Sequence, residues 1–163
     1  MKKHSKRRPP GQLPMYTLMH ELTASPTEPV AKHLLAEHLG KVRAALAALQ
    51  MNPDPTTHDW GALSDAVNLA SSLVELGLIS DESGEVTKAK DAMGEAGARL
   101  LAGGTLRLTG PGIQVLHALL DDYEEVVHAL SARQFIRGVR HAERRVLELL
   151  RGKRYAGDRV VAP

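Results

Sequence analysis

Arg133, Arg137, Arg140, Arg144 and Arg151 follow one another at steps of four, three, four and seven. At about 100° per residue they share one helical stripe about 60° wide. Guanidinium forks match phosphate oxygens, and each such contact on a nucleic acid releases counterions. Lys2, Lys3, Lys6, Arg7 and Arg8 crowd the first eight residues with no acid among them, and a basic arm of this kind would steer the same polyanion. His117, Asp121, Glu124 and His128 make a second stripe of about 60°. Glu125 to His128 has the Glu-x-x-His form of di-iron bundles, but that site needs a second such motif and further glutamates. The sequence holds no second copy. Carboxylates and a histidine beside an apolar seam more often pair with neighbouring bases, so no metal and no other cofactor is expected.

Other chemistry has less support. Cysteine is absent, which excludes a disulfide framework, thiolate metal sites and thiol nucleophiles. Gly110-Pro111-Gly112 lacks the spacing and the Lys-Ser/Thr of a phosphate loop. Ser64, Ser71 and Ser72 have no histidine and acid partners that spacing identifies. A helix-turn-helix around Leu73 to Val86 fits poorly, because Leu73 stands where a small residue is wanted and Ser83 where an apolar one is. The five aromatic residues, Tyr16, Trp60, Tyr123, Phe135 and Tyr155, are too few for a base-stacking groove. A non-enzymatic protein is expected.

The elements that would position these groups are helices. The chain has 163 residues, 43% of them hydrophobic, enough for one core. Residues 1–26 mix basic charge with proline and read as a disordered basic arm, with Leu13, Met15, Tyr16, Leu18 and Met19 available to dock on the body. A first helix is predicted from near Thr27, with Pro29 in its opening turn and Leu35, Leu39, Val42, Leu46 and Leu49 as its face. Thr57 offers a cap to a second, whose wide apolar arc (Trp60, Leu63, Val67, Leu69, Ala70, Leu73, Val74) marks it as central. A third helix spans about residues 84–102, weakened by Gly94 and Gly97. Thr105 to Thr109 resembles a strand whose only visible partner is Arg159 to Val161. Thr109 and Pro111 open a fourth helix with the seam Ile113, Leu116, Leu120, Tyr123, Val127 and Leu130, and Ser131 opens a fifth in capping-box form. The expected fold is all-α: a single-domain bundle of about five amphipathic helices over residues 27–152, followed by a tail, 153–163.

These features, together with Asp59-Trp60-Gly61-Ala62-Leu63-Ser64-Asp65-Ala66-Val67-Asn68, the helix end Leu76-Gly77, and Leu106-Arg107-Leu108-Thr109 leading into a helix, resemble small helical proteins encoded by proteobacterial phages and plasmids. That group has no settled activity, so the resemblance implies an accessory role in a mobile element and carries over no functional residue.

Charge is sorted along the chain, with segments of +5 (residues 1–8), −9 (9–130) and +6 (131–163). Two accounts of the arginine stripe stay open. It binds nucleic acid weakly and without sequence preference, or it pairs with Asp121, Asp122, Glu124 and Glu125 across an antiparallel hairpin turning near Ser131. A protein partner or a homo-oligomer, meeting the acidic fourth helix or the heptad-like seam, is the alternative function. No stretch approaches the length of a membrane span, no signal peptide is evident, and a cytoplasmic protein without a membrane role is expected.

Overall fold

The computed structural model describes residues 14–153. Six helices follow in chain order: α1 (Leu18–Thr23), α2 (Lys32–Met51), α3 (Thr57–Glu75), α4 (Glu85–Leu101), α5 (Gly110–Ala129) and α6 (Ala132–Leu150). Their starts are chemically marked. Thr56, one residue before the expected cap, and Ser131 each make a reciprocal capping box, with Asp59 and Gln134 respectively. Thr109 caps α5 ahead of Pro111. The α4 start lies at Gly84 in the left-handed conformation (φ 69°), and the Asp81 carboxylate accepts from the amides of Val86 (3.0 Å) and Thr87 (3.3 Å).

Helix contacts close a ring: α2 lies on α3, α3 on α4, α4 on α5, and α5 returns to α2. The predicted faces fill it. Leu35, Leu39, Val42, Leu46 and Leu49 of α2, and Leu116, Leu120, Tyr123 and Val127 of α5, are all buried. The α5 seam is thus occupied by the chain's own helices. Trp60 on α3 donates its indole N–H to the Met93 carbonyl of α4 (3.2 Å), and Gly97 of α4 lets the indole come close: a methyl there would stand 3.3 Å from Trp60 Cζ2.

Helix α6 lies outside this ring, on α3, and carries α1 on itself. That is why α3 buries residues all round, from Trp60 to Leu73. Polar residues of α3 are buried as well, Ser64, Asn68 and Ser72 among them: Ser64 donates to the Trp60 carbonyl (2.8 Å), and half-buried Ser71 accepts from Lys90 of α4 (3.2 Å). Gly138 makes the crossing of α6 over α3, since a Cβ there would come within 2.8 Å of both Leu69 Cδ1 and Leu73 Cδ2.

Four expectations change. Helix α2 begins at Lys32 rather than near Thr27, because residues before it pair with the α5–α6 junction: Ala132 N–H donates to the Glu28 carbonyl (2.8 Å), and Pro29 bridges Ser131. The end of the presumed arm, from Pro14, is ordered and includes α1. Thr105 to Thr109 forms no strand; Leu106 and Leu108 are buried on the core, and Arg99 holds the Arg107 carbonyl. Its supposed partner, Arg159 to Val161, lies outside the described residues. Finally, α5 and α6 are joined only by Leu130 and Ser131, yet they do not pack as a hairpin. Both linking residues are extended (ψ 140° and 157°), and they send α6 toward the uncovered leucines of α3. Among the described residues no helix is long and apolar enough to cross a membrane.

Candidate nucleic-acid interface

The open question about the arginine stripe was which of its members are already engaged. Arg133 caps the end of α1, its guanidinium donating to the carbonyls of Ala24 (3.1 Å) and Leu22 (3.2 Å). Arg140 grips the Glu21 carboxylate of α1 in a half-buried ion pair. Arg137, Arg144 and Arg151 are exposed and make no ion pair or side-chain hydrogen bond among the described residues. They recur every seven residues, so they line up about 10 Å apart with a drift of only about 20° per step.

None of the five meets the acids of α5. Asp121 (3.4 Å) and Glu124 instead pair with Arg43 of α2, the neighbour that the ring sets beside them. The candidate metal stripe is dispersed by the same packing: His117 faces Gln50 (3.2 Å), two carboxylates hold a guanidinium, and His128 is exposed. Among the described residues no group of three or more His, Cys, Asp or Glu is placed to hold a metal.

The other side of α6 is bound to the body by a group that spacing did not reveal. Glu75, at the end of α3, accepts from Arg145 (3.3 Å) and lies 3.7 Å from the His141 ring. Burial holds the His141 pKa below its ordinary value; Glu75 pulls it up, and Arg144, Arg145 and Arg137 push it down. Burial is the largest of these influences, and the three arginines act with it against Glu75.

Glu143 was also missed, and it ties Met15 to α6. Its carboxylate accepts from the Met15 amide (2.8 Å), so the chain is held against α6 near the start of the described residues. A lone acid inside the run Arg140-His141-Ala142-Glu143-Arg144-Arg145 is the only sequence signal for this. Lys2, Lys3, Lys6, Arg7 and Arg8 lie outside the described residues. Arg137, Arg144 and Arg151 form an outward row along α6, and Met15 is fixed against the same helix. No protein-family model, curated protein or solved structure matches the chain, so the functional reading rests on this basic row and its neighbours.

Proposed function

We propose that the chain is a non-enzymatic nucleic-acid-binding protein that grips the phosphate backbone without reading bases, an accessory role of the kind its resemblance to phage and plasmid proteins implies. The Met15–Glu143 hydrogen bond carries the reading, because it fixes the chain against α6 seven residues after Arg8, the last of the N-terminal run of cations. Arg8 lies seven residues before Met15, at most about 25 Å of chain, and Lys2 thirteen, at most about 45 Å, so these cations are tethered to the helix that carries Arg137 and Arg144. The five arginines of the sequence stripe are thereby narrowed to three. Arg133 and Arg140 hold α1 and serve binding only indirectly.

Such a surface positions phosphates rather than specifying bases. Among the described residues Trp60, Tyr123 and Phe135 are buried and Tyr16 packs against the core, which favours duplex over stacked single strands. The test is fluorescence anisotropy with duplex DNA and duplex RNA of unrelated sequences. It compares the intact chain, a chain lacking residues 1–8, an Arg137→Ala/Arg144→Ala/Arg151→Ala variant, and a chain with both changes. Similar affinity for unrelated duplexes, weakened by each change and most by both, is the expected result. No measurable binding, or binding indifferent to both changes, refutes the proposal.

A further inference from the structure

Helix α1 is amphipathic in the reverse sense for a surface helix. Its polar groups face the body: Arg140 holds the Glu21 carboxylate, Arg133 takes the carbonyls at its end, and the Met15 amide just before it donates to Glu143. Its apolar side chains face outward, with Met15, Leu18, Met19 and Leu22 exposed by 68%, 55%, 65% and 61%. Leu18, Met19 and Leu22 fall within about 100° of arc. A surface helix ordinarily turns such a row toward the core, and an exposed one marks an interaction surface. Of this segment, Tyr16 packs against the core.

Charge decides what covers the row. No acid occurs before Glu21, while Lys2, Lys3, Lys6, Arg7 and Arg8 precede it, and α1 lies on the helix that presents Arg137 and Arg144. A second copy would set two basic arms and two arginine rows of like sign together, which repel. A nucleic-acid backbone meets the cations but offers nothing apolar to a row of methionine and leucine. An anionic bilayer surface offers both, with phosphate and carboxylate headgroups above an acyl boundary.

We infer that α1 forms a peripheral anchor for anionic lipid surfaces, with Leu18, Met19 and Leu22 entering the headgroup–acyl boundary and Arg137 and Arg144 of the helix beneath it contributing to the attraction for the headgroups. Nothing in this anchor crosses the bilayer. The inference goes beyond the expectation of no membrane role, and it does not depend on nucleic-acid binding, in which the apolar row has no part.

Flotation of the full chain with vesicles of phosphatidylcholine, alone or mixed with phosphatidylserine, tests it. Leu18→Ser/Leu22→Ser changes two exposed positions and leaves the core intact, as circular dichroism would verify. The intact chain is expected to bind the mixed vesicles at least about tenfold more tightly than the neutral ones, and the double variant to lose about tenfold. A Met19→Trp chain should shift its emission to the blue on binding, beyond any change from buried Trp60. No partition onto the mixed vesicles, or partition indifferent to the double variant, overturns the inference. So does self-association in sedimentation that the double variant abolishes, which would assign the row to a second copy. Loss of duplex binding in the double variant would assign it to nucleic acid, with the same consequence.

Discussion

Substitution at Gly138 measures whether α6 rests on α3 as described. A methyl at this position would stand 2.8 Å from Leu69 Cδ1 and 2.8 Å from Leu73 Cδ2, side chains that are 3% and 0% exposed. Overpacking of this kind costs about 1–3 kcal/mol, and alanine for glycine inside a helix gives back about 1 kcal/mol. Gly138→Ala is therefore expected to lose about 1 kcal/mol net. Gly138→Val forces two further carbons into the same crossing and is expected to lose about 3 kcal/mol or more. Gly94 is the control, since it lies within α4 with nothing inside 4 Å of an added Cβ. Gly94→Ala should gain about 0.5–1 kcal/mol from the backbone alone. Urea unfolding with unchanged slope reads all three, each kcal/mol corresponding to about 4 °C in Tm for a chain of this size. If Gly138→Ala stabilised the protein as Gly94→Ala does, the crossing of α6 over α3 would be wrong.

The acidic flank of α5 gives a second prediction. In double-mutant cycles Arg43 and Glu124 should couple by a few tenths of a kcal/mol, as exposed pairs do, and Arg137 and Glu124 should not couple; coupling only in the second pair would restore the hairpin. Arg140→Ala should release α1 by removing its grip on Glu21, at about 1–2 kcal/mol for this partly buried pair. Faster amide exchange across residues 18–23 with the α2–α5 core still protected is the expected sign, and unchanged exchange would contradict it. Stability should also fall on acidification from about pH 7.5 to about pH 5.5. Burial lowers the folded pKa of both His38 and His141 below the ordinary 6.5, so the unfolded chain takes up protons first and stability is lost as pH drops through that value. His38→Gln and His141→Gln should each flatten the dependence of Tm on pH; a dependence unchanged by both would place its origin elsewhere.

Which face each helix buries was legible because period 3.6 marks a helix's own surface. The leucines of α2 and the wide arc of α3 are where the pattern placed them, and the Ser131 capping box is the one its spacing indicated. Which neighbour covers a face was not legible. The two-residue link before α6 argued for a hairpin, but Leu130 and Ser131 are extended, and Leu69 and Leu73 of α3, which the ring of α2 to α5 leaves for α6 to cover, offered a better surface than the filled α5 seam. Gly138 carried no apolar signal, since its role is to have no side chain. Thr27 and Pro29 read as a helix start, yet the backbone there is spent on the junction before α6. The arginine stripe was visible as a stripe, but its division into Arg133 and Arg140, which hold α1, and Arg137, Arg144 and Arg151, which face outward, depends on Glu21 and on an α1 too short for a periodic signal.

The salt dependence of duplex binding tests the central claim most directly. Each phosphate contact contributes a slope of about −0.9 in log K against log salt. Arg137→Ala/Arg144→Ala/Arg151→Ala is expected to make the slope shallower by about two to three units, while Arg133→Ala should leave it nearly unchanged. An equal slope in the intact chain and the triple variant would contradict the assignment of the outward row of α6 to phosphate binding.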